Sequence, residues 1–251
     1  MNVLFCGCSF TASSGFNDEN LQDLWVNIVS KELNFNSTNI AFGGMSNHEI
    51  FKRTTNKIIE TNPNLVVVMW SELHRLWCYT NHLFGNIDNF TMIRPSITGW
   101  QSDLKDLKKF RDIYSKIFTN NYVDFRDWLL YIYGLQNILK QHGIPFIFLR
   151  GFSNNLQDWL NIDKNNLIKS SDFVKETLDF ENHQDDYMIE KIDSLHSIIN
   201  VIDKSKWINF YSPSFKELQV DKADDNSHPG KVSNANMANK FTEYYNCQIR
   251  T

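Results

Sequence analysis

Between residues 2 and 70 the chain alternates short apolar runs with stretches of helical spacing, and no other feature narrows the fold as far. Asn2–Cys6 is apolar with little alternation, the pattern of a strand covered on both faces. Asn20–Leu33 places Leu21, Leu24, Trp25, Ile28, Val29 and Leu33 at helical spacing. Thr38–Ala41 reads as a second strand, ended by Gly43-Gly44. Ser46 can cap a second helix whose buried face takes Ile50, Phe51, Ile58 and Ile59, and Pro63-Asn64 breaks it. Leu65–Trp70, LVVVMW, is a third strand. Strand, helix, strand, helix, strand predicts an α/β fold with a parallel sheet and right-handed crossovers. Trp128–Gln141 then reads as a helix closed by His142-Gly143, Ile144–Leu149 as a fourth strand and Trp207–Phe210 as a short fifth. Ser233–Tyr245 reads as a closing helix with Ala235, Ala238, Phe241 and Tyr245 inward.

Two stretches, about 79–125 and 152–206, do not fit that core. Both are polar, speckled with aromatics and punctuated by asparagine. They are expected to be insertions over the carboxyl edge of the sheet, with helical pieces at Ser102–Phe118 and Asp185–Val201. That edge is where open parallel sheets bind ligands. The 251 residues, 42% hydrophobic, suffice for one core, so the expected organisation is a single domain spanning 1–251. Trp77, Tyr79 and Trp100 in the first insertion are either sugar-stacking surfaces or insertion core.

The formal net charge of -4 and the lack of a lysine- or arginine-dense run give no support to nucleic-acid binding. No apolar run is long enough to span a bilayer, and no basic segment precedes a cleavable apolar one. The expectation is a cytoplasmic chain with no membrane partner. The four cysteines, Cys6, Cys8, Cys78 and Cys247, have no zinc-type spacing and are read as reduced, with no metal site. Cys6 and Cys8, two apart on a strand, are expected on one face.

Four polar elements sit where a parallel sheet would gather them. Ser9 follows the first strand in Gly7-Cys8-Ser9. Gly44-Met45-Ser46-Asn47 follows the second, where glycine leaves backbone N–H groups free to approach an anion. Trp70-Ser71-Glu72, with Arg75, follows the third. Asp225-Asn226-Ser227-His228-Pro229 precedes the closing helix. A carboxylate three residues from an imidazole can hold its Nδ1–H and leave Nε2 to take a proton from a serine. Singly, each element has a plainer reading: a turn, a cap, a strand exit, a solvated loop. Together they supply a nucleophile, a base, its orienting acid and oxyanion donors for one cleft.

On these blocks the sequence resembles the SGNH (GDSL-like) hydrolases, and a Trp-Ser third block is similar to that of bacteriophage members. The resemblance implies a flavodoxin-like three-layer α/β/α sandwich with a five-stranded parallel sheet. It implies catalysis by Ser9, Asp225 and His228, with Ser9, Gly44 and Ser71 as oxyanion donors and no cofactor. Asn47, Trp70, Glu72 and Arg75 become candidates for substrate contact, with Asn47 or Arg75 able to stand in for the third donor. Two departures are plain: Cys8 replaces the usual aspartate, and Ser71 stands where the family has an oxyanion asparagine. The implied activity is hydrolysis of a short-chain, acetyl ester on a small molecule or glycan. Acyl transfer by the same triad, or glycan or protein binding without turnover, are the alternatives. A phage-encoded member would work in the host cytoplasm or the virion.

Overall fold

The computed structural model describes residues 1–79, 90–93, 109, 113, 121–154, 156–161 and 185–250. The elements are β1 (Asn2–Gly7), α1 (Trp25–Glu32), β2 (Asn36–Asn39), α2 (Asn47–Thr61), β3 (Leu65–Trp70), β4 (Leu76–Tyr79) and β5 (Phe90–Ile93). They continue with α3 (Asn121–Gln141), β6 (Phe146–Arg150), α4 (Leu156–Leu160), α5 (Asp185–Val201) and α6 (Lys231–Gln248). Trp100, most of Ser102–Phe118, and the side chains of Trp77 and Tyr79 lie outside the described residues. The chain divides into two compact units: Met1–Glu72 with Gly134–Ser153 and Asp203–Thr251, and Leu73–Tyr133 with Asn154–Ile202.

The first unit holds a parallel sheet in the order β2-β1-β3-β6, and the α/β class read from the sequence stands. β1, β3 and β6 are buried along nearly their whole length, as their apolar runs require. On one face Val3, Phe5, Val67, Met69, Ile147 and Leu149 pack with Trp25, Val26 and Val29 of α1 and Met237, Ala238 and Phe241 of α6. On the other lies α2, where the Cys6 thiol meets the carbonyl of Ile50 at 3.9 Å. Gly134 of α3 sits against the Phe51 ring, which sets α3 beside α2. Ser46 caps α2 as expected, its hydroxyl accepting from the Glu49 N–H at 3.2 Å.

Among the described residues the parallel sheet has four strands, one fewer than expected. The fifth reduces to one parallel bridge between Phe148 and Trp207. Asn209 explains why. Its side-chain amide accepts from Arg150 N–H at 2.8 Å and donates to the Arg150 carbonyl at 3.1 Å. A side chain thus takes the hydrogen bonds a fifth ladder would have made. The buried Arg150 guanidinium is held by the carbonyls of Asn209 (3.1 Å), Ser153 (2.7 Å) and Ser212 (2.5 Å). Burial lowers its pKa, and Glu217 opposes that shift.

Other boundaries also moved. The first helix begins at Trp25, because Leu21–Asp23 forms a 3-10 turn and Leu24 is extended. Cys6 and Cys8 do not share a face. The strand ends at Gly7, the chain turns, and Cys8 joins the α1/α6 core while Cys6 faces α2.

The second unit contains the antiparallel pair β4–β5 and, around α4, an aromatic cluster. Phe125 stacks on Trp159 at 5.1 Å between centroids and meets Trp128 at 5.5 Å. Ile192, Leu195 and Ile199 give α5 its buried stripe. Among the described residues no helix is long and apolar enough to cross a membrane, and no group of three potential metal ligands occurs.

Candidate active site

The carboxyl ends of β1, β3 and β6 lie along one edge of the sheet, and the polar blocks gather there. After Gly7 the chain closes a tight turn in which Thr11 and Ala12 N–H both bond the Cys8 carbonyl, at 2.9 and 3.0 Å. Ser9 rides on that turn with 8% of its surface exposed. The turn is buttressed from the β2 side. Phe42 N–H bonds the Gly7 carbonyl at 3.3 Å, and the Asn39 amide bonds the Thr11 carbonyl at 2.8 Å. The loop carrying Gly44 is thereby held against the turn carrying Ser9. Gly44 adopts φ +83, a left-handed conformation that suits glycine. Among the described residues the N–H groups of Ser9 and Gly44 donate no hydrogen bond.

Asp225 and His228 form the pair expected from their spacing. Asp225 Oδ1 accepts the N–H groups of Ser227 and His228, each at 3.0 Å, so one carboxylate oxygen builds the turn. Oδ2 makes a short hydrogen bond with His228 Nδ1. Ser227 Oγ lies 3.1 Å from the same nitrogen. Burial alone would raise the Asp225 pKa. The two backbone donors and the imidazole outweigh it and hold the carboxyl well below the usual carboxylate range. The His228 ring stands edge-on to Phe10, the residue after Ser9, with centroids 6.0 Å apart. Phe10 in turn stacks on Phe152 at 4.8 Å.

The loop bearing the dyad is itself a small hairpin. Ala223 N–H bonds the His228 carbonyl at 2.9 Å and Gly230 N–H bonds the Asp221 carbonyl at 3.1 Å, with Asn226 at φ +57 in the bend. Two residues that sequence reading missed anchor it. Asp221 caps α6, its carboxylate accepting from Val232 N–H at 2.9 Å and Ser233 N–H at 2.8 Å. Asn234 donates to the carbonyls of Pro229 and Gly230, both at 2.9 Å, and accepts Trp25 N–H at 3.0 Å. The last contact caps α1 from a helix far along the chain. No local pattern could have revealed it.

The third block departs from expectation. Asn47, 4% exposed, accepts Ser71 N–H at 2.8 Å and donates to the carbonyls of Ser71 (3.2 Å) and Glu72 (3.1 Å). Its amide N–H groups are both committed to that backbone. Ser71 is fully buried and its N–H is spent on Asn47. Trp70 is also fully buried, edge-on to Phe148 at 5.6 Å, in the core beneath that edge. Glu72 is partly exposed. Arg75 is buried and belongs to the second unit, where His74 Nδ1 meets Asp124 Oδ2 at 2.7 Å. Burial pushes the Cys6 thiol up to about 12, which removes it as a nucleophile.

No family model matches the sequence, and no curated protein matches it. Solved structures do resemble it. TesA is 10% identical over 99% of this chain and 100% of its own, with a TM-score of 0.51. The psychrotrophic esterase EstA from Pseudoalteromonas sp., solved inhibited by monoethylphosphonate, is 10% identical over 100% of this chain and 99% of its own, with a TM-score of 0.50. The likeness is one of fold, and it agrees with the fold that the resemblance implied.

Proposed function

We propose that this chain is a serine ester hydrolase of SGNH type. The observation that carries the reading is the Asp225–His228 pair, held by its own turn and set beside the Ser9 turn through Phe10. In the proposed reaction His228 Nε2 takes the proton of Ser9 Oγ as that oxygen attacks the ester carbonyl. The tetrahedral oxyanion is received by the N–H groups of Ser9 and Gly44. Collapse breaks the bond to the alcohol, which leaves with the proton from His228. Water, deprotonated by the same imidazole, then frees the acid and restores Ser9. Asp225 keeps Nδ1 protonated and steadies the imidazolium throughout.

The acyl group is expected to be acetyl and the alcohol a carbohydrate or other small molecule, as the family resemblance implies. The test is hydrolysis of p-nitrophenyl acetate by the wild type and by Ser9→Ala, His228→Ala and Asp225→Asn, each checked for folding. Both alanine variants should fall to background. Asp225→Asn should lose on the order of 10⁴ in kcat, since the imidazole would be held in the wrong tautomer. Folded alanine variants that match the wild type would sink the reading.

A further inference from the structure

We infer that Gly15 is a positioning residue for the reaction: its missing side chain sets the spacing between the turn bearing Ser9 and the loop bearing Asp225 and His228. The inference rests on the esterase reading above. Gly15 closes the turn segment at φ +82. A Cβ there would lie 2.9 Å from Ala223 Cβ, 3.1 Å from His228 Cβ and 3.2 Å from Asp225 Oδ2. Those three atoms belong to one hydrogen-bonded loop, closed by Ala223 N–H on the His228 carbonyl at 2.9 Å and by Asn226 N–H on the Ala223 carbonyl at 2.9 Å. The loop therefore meets Gly15 as a unit. Carbon atoms prefer about 3.5–4.0 Å of separation, so an added methyl would drive loop and turn apart by the better part of ~1 Å. The Phe10–His228 contact would open with it. A displacement of about 1 Å in a reacting pair can cost about 10²-fold in rate.

The backbone strain of a side chain at positive φ must be separated from this contact. Gly143 provides the control, since it has φ +66 and nothing within 4 Å of where its Cβ would lie. The experiment compares wild type, Gly15→Ala, Gly143→Ala, Ala223→Val and the double variant Gly15→Ala/Ala223→Gly. It reads kcat and KM on p-nitrophenyl acetate, the rate of Ser9 labelling by a fluorophosphonate, and thermal melts. Gly15→Ala should lose about 10²-fold in kcat and in labelling rate with KM nearly unchanged. Ala223→Val crowds the same contact from the other side without strain at residue 15 and should behave alike. Gly143→Ala should keep wild-type kcat, and the double variant should regain part of the loss. If Gly15→Ala does not fold, Ala223→Val carries the same test. Wild-type kcat in Gly15→Ala and Ala223→Val, or an equal loss in Gly143→Ala, overturns the inference alone. A wild type inert to both ester and phosphonate overturns the esterase reading and takes the inference with it.

Discussion

Replacing Asn234 by alanine tests how the candidate site is fastened to the fold. Asn234 is 1% exposed and joins three segments. Its Oδ1 is the partner of Trp25 N–H at the start of α1, and Trp25 is fully buried. Its Nδ2 serves the carbonyls of Pro229 and Gly230, just after His228. In the variant the Trp25 N–H would be buried without a partner, at a cost of about 1–3 kcal/mol. The Gly230 carbonyl would keep the Asn234 backbone N–H at 3.0 Å. The Pro229 carbonyl would lose its side-chain donor, a further ~1 kcal/mol. The expected loss is about 2–4 kcal/mol, read as the change in unfolding free energy from urea denaturation at neutral pH. Asn234→Asp should do no better. It keeps an acceptor for Trp25 but turns oxygen toward two carbonyls. A loss under about 0.5 kcal/mol in Asn234→Ala would show that water or a local shift satisfies α1, and the fastening argument would be wrong.

Two further outcomes follow from the same structure. For Asp221, burial would raise the pKa, but Ser233 and the backbone N–H groups at the start of α6 outweigh it and lower it. A carboxyl depressed on folding adds stability above its unfolded pKa, and that stability is lost as pH falls through the folded value. The wild type should therefore weaken on acidification below about pH 4, and Asp221→Asn should flatten that slope in acid titration of the melting temperature; an unchanged slope refutes the cap. Cys8→Ala should keep wild-type esterase kcat and lose about 1 kcal/mol of stability, because Cys8 is fully buried in the α1/α6 core. Near-complete loss of activity in a folded Cys8→Ala would overturn the assignment of Ser9.

What was legible in the sequence was what short spacing encodes. LVVVMW could only be a covered strand, Ser46 announced the start of α2, and Asp225 and His228 are close enough in sequence for one turn to pair them. What stayed hidden depends on side chains bonding to distant backbone. Asn209 replaces a ladder 59 positions away, and Asn234 caps a helix 209 positions away. Asparagine is common in this chain, and its composition signals loops; nothing local tells a loop asparagine from one that splices two elements. The start of α3 was missed for a related reason. Tyr122 and Phe125 sit in a polar stretch and are buried in the second unit, which the alternation of the first unit does not describe.

The third block shows how one asparagine side chain can tie the exit of a strand to the start of a helix. Ser71 N–H donates to the Asn47 side chain, whose amide donates back to the carbonyls of Ser71 and Glu72. The same three hydrogen bonds lock the exit of β3 to the first residue of α2, and the loop before that helix carries Gly44. Asn47 here stiffens the frame at that edge of the sheet. Under the proposed chemistry, the backbone donors of Ser9 and Gly44 depend on how firmly their two loops are held. Phe42 on Gly7, Asn39 on Thr11 and Asn47 on Ser71 and Glu72 are the bonds that hold them. Under the proposed chemistry, the rigidity of those loops fixes the two backbone donors that receive the oxyanion.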